Sequence, residues 1–281
     1  MSYIAYKAPY LLKIMRDDDP YNPRDEDDHL GNMMCWHKRY KLGDENPFDD
    51  GRDMLKNLAK ENIPAADVVK RAKAGEFYKI IMERSENDDH WLLTAFYTLG
   101  SETWEREVKY QIPVNDEPDI SDLILDELTP KELFKLLDGN IVILPLFLYD
   151  HSGLTISTSS FGDPFDSGCV GWIYATKLQI LAEYGDTSVE TMEKAKDRLQ
   201  SEVEEYDYYL NGQCYGFQLY ENGEESDSCW GFLGNFKDVA QEIAASDLPE
   251  SHRDMIDNLK EVTDSITKDK DFCDYMRDLR V

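Results

Sequence analysis

The sequence predicts an α+β fold, a mostly antiparallel sheet with flanking helices and acidic projecting loops, and three observations carry that expectation. Short aromatic and β-branched runs are punctuated by turn residues, as at 213–220 and 227–233 around Glu221–Asn222–Gly223, which marks a hairpin. Other runs have helical spacing, as in Val189, Met192, Ala195, Leu199, Val203 and Tyr206. Hydrophobic residues are 41% and aromatic residues 12% of 281, which supplies a sizeable core and is unlike a disordered chain.

Taken in order, residues 3–15 read as one apolar strand. DDDPYNPRDEDD at 17–28 carries seven acids, one Arg and two prolines, so it reads as an exposed loop or arm. Residues 29–43 are locally basic and aromatic, and a second acidic loop follows at 44–51. Helical spacing over 52–74 is broken by Pro64. It gives one helix with Met54, Leu55 and Leu58 inward and another with Val68, Val69 and Ala72, stopped by Gly75. Strands are expected at 76–84 and within 90–112, with turns at Asn87–Asp89 and Gly100–Ser101. Val114–Asp119 reads as a linker, followed by helices at 121–127 and 130–137, the second with Pro130 in its first turn.

The apolar run 140–148 reads as a buried strand, followed by strands at 154–158 and 170–174 and helices at 176–184 and 188–210. Terminal helices are expected at 236–246, 249–267 and 269–279. The expected organisation is an N-terminal strand with an acidic arm (1–51), a small α/β insertion (52–119) and a main α+β domain with C-terminal helices (120–281).

Charge is the most unusual bulk feature. Thirty basic residues stand against 58 acidic ones, a net −28. Phosphate binding needs Lys and Arg to replace counterions, so direct nucleic-acid binding is disfavoured, and anionic membranes likewise. Proteins with basic surfaces, including DNA-binding faces, would be attracted and steered in. Solubility alone is the plainer explanation of the same charge. MSYIAYKAPYLLKIM is too polar for a signal peptide, and no run approaches the length of a membrane span. Five cysteines, an odd count, read as reduced thiols. A cytoplasmic protein is expected.

Motifs for chemistry are sparse. There is no Walker A loop, G-x-G-x-x-G, H-E-x-x-H or G-x-S-x-G, and the acids at 17–28 lack the EF-hand register. Cys35 and His37 form C-x-H near His29 without a second ligand pair, so neither metal nor cofactor is expected. The densest polar segment is YDHSGLTISTSSFGDPFDSGCVGW, 149–172. A Cys169–His151 pair oriented by an aspartate would make a hydrolase. The favoured reading is a loop whose Asp and Ser side chains bond to nearby backbone amides. The acids Asp17, Asp18, Asp19, Asp25, Glu26, Asp27, Asp28, Asp49 and Asp50 are candidate partner contacts. So are Tyr208 and Tyr209, which cannot both face one core stripe.

Five blocks, taken together, carry a resemblance: NPRDEDDHLGNMMCWHKRYKLGD (22–44), LPLFLYDHSGLTIST (144–158), DPFDSGCVGWIY (163–174), EVEEYDYYLNGQCYGFQL (202–219) and DSCWGFLG (227–234). The set resembles a widespread family of phage and mobile-element proteins. Residues 52–120 and those from about 236 onward lie outside the resemblance. Its block residues include Asp150, His151, Ser152, Gly153, Asp163, Asp166, Ser167, Gly168, Trp172 and Trp230. Within it, size and block pattern are similar to phage proteins that counter Gabija-type host nuclease complexes. The resemblance implies a homo-oligomer that binds such a complex and keeps it from DNA, and it carries over no catalytic residue. A Cys/His hydrolase using 149–172 and a virion or assembly component are the alternatives.

Overall fold

The computed structural model describes residues 2–25, 28–86, 90–99, 103–113, 117–151, 153–163, 167–262 and 270–279. The chain is an α+β protein with strands in sheets of five, four and three, and every registered strand pair is antiparallel. Two compact units form. One gathers residues 1–29, 147–169 and 200–281, the other 30–146 and 170–199. The segment 52–119 falls inside the second unit, whereas 1–51 and 120–281 each contribute to both.

The first unit is built on the five-stranded sheet. Residues 3–15 are two strands, β1 (Ser2–Lys7) and β2 (Tyr10–Arg16), not the single strand expected. The chain reverses at Ala8–Pro9, where proline has no N–H for a ladder. The strands of the second unit begin with the short β3 (Asn32–Cys35), followed by β4 (Ile80–Arg84), β5 (His90–Leu99) and β6 (Thr103–Pro113). Then come β7 (Ile141–Asp150), β8 (Leu154–Ser157), β9 (Ser167–Thr176), β10 (Cys214–Glu221), β11 (Glu224–Leu233) and β12 (Lys260–Val262). The five-stranded order is β11-β10-β2-β1-β12.

One face of that sheet buries Ala5, Leu12, Ile14, Phe217 and Leu219 against Val239, Ala240, Ile243 and Ala244. Those four lie on a helix, Phe236–Ser246, capped by Asn235. In place of the helix expected at 249–267, the described residues form a 3-10 segment, Glu250–Asn258, followed by β12, and residues 263–267 lie outside the described residues. Only Met255 of the 3-10 segment is buried, so little apolar burial favours a long helix there, and Lys260–Val262 pairs with β1 instead. A last helix, Lys270–Asp278, buries Tyr275, whose ring meets Tyr6 at 5.4 Å.

The second unit surrounds a helical core. In chain order the helices of the protein are α1 (Gly51–Asn62), α2 (Ala65–Lys73), α3 (Glu117–Glu127), α4 (Pro130–Leu137), α5 (Lys177–Tyr184), α6 (Val189–Leu210), α7 (Phe236–Ser246) and α8 (Lys270–Asp278). Met54, Leu55, Leu58, Val68, Val69 and Ala72 are buried as their spacing required. They pack with Ile120, Ile124 and Leu125 of α3 and Leu133, Leu136 and Leu137 of α4. Strand β4 adds Ile80 and Met82, and β5 adds Leu93. Strand β9 approaches β3 closely at Gly171, where a Cβ would sit 1.9 Å from the Met34 carbonyl oxygen. Trp172, in the DPFDSGCVGWIY block, lies over Gly51 and meets Trp36 edge-on at 6.1 Å, so it is a packing residue.

Candidate partner-binding surface

β11 is the outer strand of the five-stranded sheet, and its residues 224–231 are exposed on both faces. Register shifts leave Ser226 and Gly231 as extra residues opposite β10, and Gly231 has φ +94°. Such bulges, with Glu224, Glu225 and Asp227, oppose edge-to-edge pairing with a second copy. Between the bulges stands Trp230, 47% exposed. Pairing places Val262, Ser2, Met15, Gly216 and Trp230 in one row across the sheet, on one face. Gly216 is required in that row. A Cβ there would come within 2.2 Å of the Trp230 ring, which lies flat over the bare backbone.

That row floors a groove of about 520 Å³ walled by Arg16, Asp17, Asp18 and Asp19. The wall is fixed by local bonds. The Asp17 N–H donates to the Cys214 carbonyl (2.8 Å), and the Asp19 N–H to the Asp17 carboxylate (3.1 Å). Arg16 donates to the carbonyls of Asn211 (2.7 Å) and Gly212. Gly212, at φ +61°, leaves room for that guanidinium. Asp17, Asp18 and Asp19 make no ion pair among the described residues. Burial, with the Asp17 carboxylate adding, pushes the Cys214 thiol up to about 11, so it stays protonated and unreactive at neutral pH. The acids of the N-terminal segment and the aromatic of the DSCWGFLG segment, far apart in sequence, therefore share one groove.

The rest of the acidic stretch is held at its middle. Pro23–Asp25 is a 3-10 turn in which Arg24 is buried, and its Nη1 lies 3.3 Å from Glu202 Oε2 with both side chains almost inaccessible. Asp25 and Asp28 are exposed on either side, and Glu26 and Asp27 lie outside the described residues. Asp49 is exposed. Asp50, also exposed, caps α1 by accepting from the Asp53 N–H at 2.8 Å. Tyr208 and Tyr209 are half-buried, and neither stands free. Tyr208 donates to Glu204 (2.9 Å), and Tyr209 stacks on Tyr206 at 6.0 Å.

The 149–172 loop uses its hydroxyls on its own backbone. The Ser157 Oγ accepts from the Ser159 N–H (3.0 Å), the Ser160 Oγ accepts from the Gly162 N–H (3.4 Å), and the Ser167 hydroxyl donates to the Asp163 carbonyl. Asp207 of α6 accepts from the Ile156 N–H at 2.8 Å and so ties β8 to the helix. Burial raises its carboxyl above the ordinary range against those hydrogen bonds. His151, Gly153, Gly168 and Cys169 are exposed, Asp150 is half-buried, and the His151 ring lies 6.1 Å from Tyr149. Ser152 and Asp166 lie outside the described residues. Among the described residues no group of three or more His, Cys, Asp or Glu could hold a metal ion, and no helix is long and apolar enough to cross a membrane.

The groove was not legible in sequence. The one available signal was Gly216 in one strand of the hairpin and Trp230 in the other, and it becomes meaningful only once the register that pairs them is known. Comparison with protein-family models, with curated proteins and with solved structures finds no match for this chain.

Proposed function

We propose that this chain is a phage-encoded anti-defence protein that acts without catalysis or cofactor. It binds a host antiviral complex of the Gabija nuclease type and covers that complex's basic DNA-binding surface. It acts in the host cytoplasm as a homo-oligomer. The observation that carries the reading is the groove in which Asp17, Asp18 and Asp19, without ion pairs among the described residues, stand beside the half-exposed Trp230 on a chain of net charge −28. Aromatic anchors ringed by charge are what interface hot spots consist of, and an acidic field accelerates encounter with a basic partner. The resemblance of the sequence blocks to phage proteins suggests the partner class.

The test is affinity capture from cells expressing the nuclease complex, paired with a DNA-cleavage assay. The full chain should retain the complex and suppress cleavage. Asp17→Lys/Asp18→Lys/Asp19→Lys should weaken capture at least about tenfold, and raised salt should slow association. His151→Ala and Cys169→Ala should inhibit as well as the parent. Failure of the parent chain to capture the complex sinks the proposal, and loss of inhibition in either loop variant favours a hydrolase.

A further inference from the structure

We propose a second site, independent of the acidic groove: the loop after β3 forms a cleft that binds a nucleotide, phosphates on Lys38, Arg39 and Lys41, base against the aromatic wall. The cleft measures about 810 Å³ and is contained within residues 35–48. That volume suits a small-molecule site, for which about 300–1,000 Å³ is usual. Its lining holds three cations, Lys38, Arg39 and Lys41, and one carboxylate, Asp44. On a chain with 58 acids to 30 bases this is a local reversal of charge.

What distinguishes the cleft is which groups are already engaged. The Asp44 carboxylate accepts from the Met33 N–H at 2.7 Å, and its own N–H donates to the Met33 carbonyl. Asn46 donates to the Cys35 carbonyl (3.2 Å) and accepts from the Phe48 N–H (3.1 Å). The lining's carboxylate and amide thus hold the loop in shape. Lys38 and Lys41, both exposed, make no ion pair or hydrogen bond among the described residues. His37 Nδ1 accepts from the N–H groups of Arg39 and Tyr40 at 3.4 and 3.3 Å, which leaves Nε2–H as a donor. The cleft therefore presents donors and positive charge to a ligand rich in acceptors.

The frame is rigid. The Trp36 N–H donates to the Val170 carbonyl at 2.7 Å, and its indole N–H to the Phe48 carbonyl at 3.3 Å. Gly43, at φ +70°, packs its bare Cα against the Met33 carbonyl. Trp36 and Phe48 are half-buried in the lining and give a flat ring apolar surface to rest on, while Tyr40 stacks on His37 at 5.0 Å with the Arg39 guanidinium 5.4 Å from its ring centre. Net charge does not forbid this ligand. Screening over about 8 Å at physiological salt makes the near cations outweigh distant acids for a small anion, but not for a long strand.

Calorimetric titration of the full chain with ATP tests the site, alongside tripolyphosphate, adenosine, a 20-nucleotide single strand and a peptide of residues 17–28. ATP is expected to bind at least about tenfold more tightly than any of the others: tripolyphosphate lacks the ring, adenosine lacks the phosphates, the peptide lacks both, and the long strand meets the repulsion of a chain of net charge −28. Lys38→Ala/Lys41→Ala should weaken ATP binding at least about tenfold with an unchanged melting temperature, because both side chains are exposed. No ATP binding at millimolar concentration overturns the proposal, as does ATP affinity unchanged in the double variant. Equal affinity for tripolyphosphate removes the base from the site. Tighter binding of the acidic peptide or the single strand also overturns it, the peptide by making the cleft a contact between copies of the chain.

Discussion

Removing either member of the Arg24–Glu202 pair should be among the most damaging single changes in the first unit. The atoms are 3.3 Å apart and the side chains are 1% and 2% exposed. At an effective dielectric of about 20, Coulomb attraction at that distance is roughly 5 kcal/mol, comparable to the several kcal/mol of desolvation that each buried ion costs. The attraction thus offsets much of the cost of burying the two ions, and removing one member leaves the other its desolvation cost with that attraction lost. Arg24→Ala and Glu202→Ala should each cost about 3–5 kcal/mol in urea unfolding. Arg24→Met/Glu202→Leu, which leaves no buried charge, should cost much less than the two single losses together. Because the pair pins the acidic stretch, the single variants should also be cleaved faster by protease within residues 17–28. Singles that cost under about 1 kcal/mol, or a double variant equal to their sum, would refute this account.

Two further outcomes follow from local geometry. Burial pushes the Glu132 carboxyl up, but bonds from the Thr129 hydroxyl and N–H and from the N–H groups of Tyr78 and Lys79 prevail and hold it below its ordinary value. Its contribution is therefore complete above the unfolded-state value, about 4.3, and is lost as pH falls through the lower folded value; Glu132→Gln should flatten that part of an acid-denaturation curve, and an unchanged curve would contradict it. Gly171→Ala should destabilise the second unit by at least about 2 kcal/mol, since its Cβ would meet backbone at 1.9 Å that can yield only if β3 and β9 separate; a native melting temperature would show the strands to be looser than described.

The helices and the hairpin were readable from the chain because their causes are local. Pro64 divides α1 from α2, Pro130 opens α4 behind a Thr129 cap, and Asn222–Gly223 turns β10 into β11. The apolar spacing of α6 names its buried face correctly at Ala195, Leu199, Val203 and Tyr206, but Met192 is only half-buried and Val189, at the first residue of the helix, is 83% exposed. Where the reading failed, the cause was distant. Tyr10–Arg16 is a strand separate from Ser2–Lys7, with Asp17 bonded to Cys214 nearly 200 residues on. Arg24 sits in an acidic, proline-broken run that reads as pure surface, and its burial depends on a glutamate on α6. Charge composition pointed to an acidic binder, but which acids stand beside an aromatic depends on strand order, which composition does not encode.

Strand β1 reaches its outer neighbour only at Lys260–Val262, through the pairs Ser2↔Val262, Tyr3↔Glu261 and Ile4↔Lys260. Ribosomes add about 5–20 residues per second, so the first strand waits roughly 13 to 50 seconds for that neighbour. The inner strand β10 arrives sooner, but still after the whole of the second unit's sequence has been made. During synthesis the N-terminal hairpin exists as two strands with both edges open, a form that is marginal alone in water. Its acidic tail, Asp17 to Asp19, travels with it from the start and keeps that early hairpin charged while its edges are uncovered. The acids that flank Trp230 in the finished molecule are thus made with the hairpin, long before Trp230 itself.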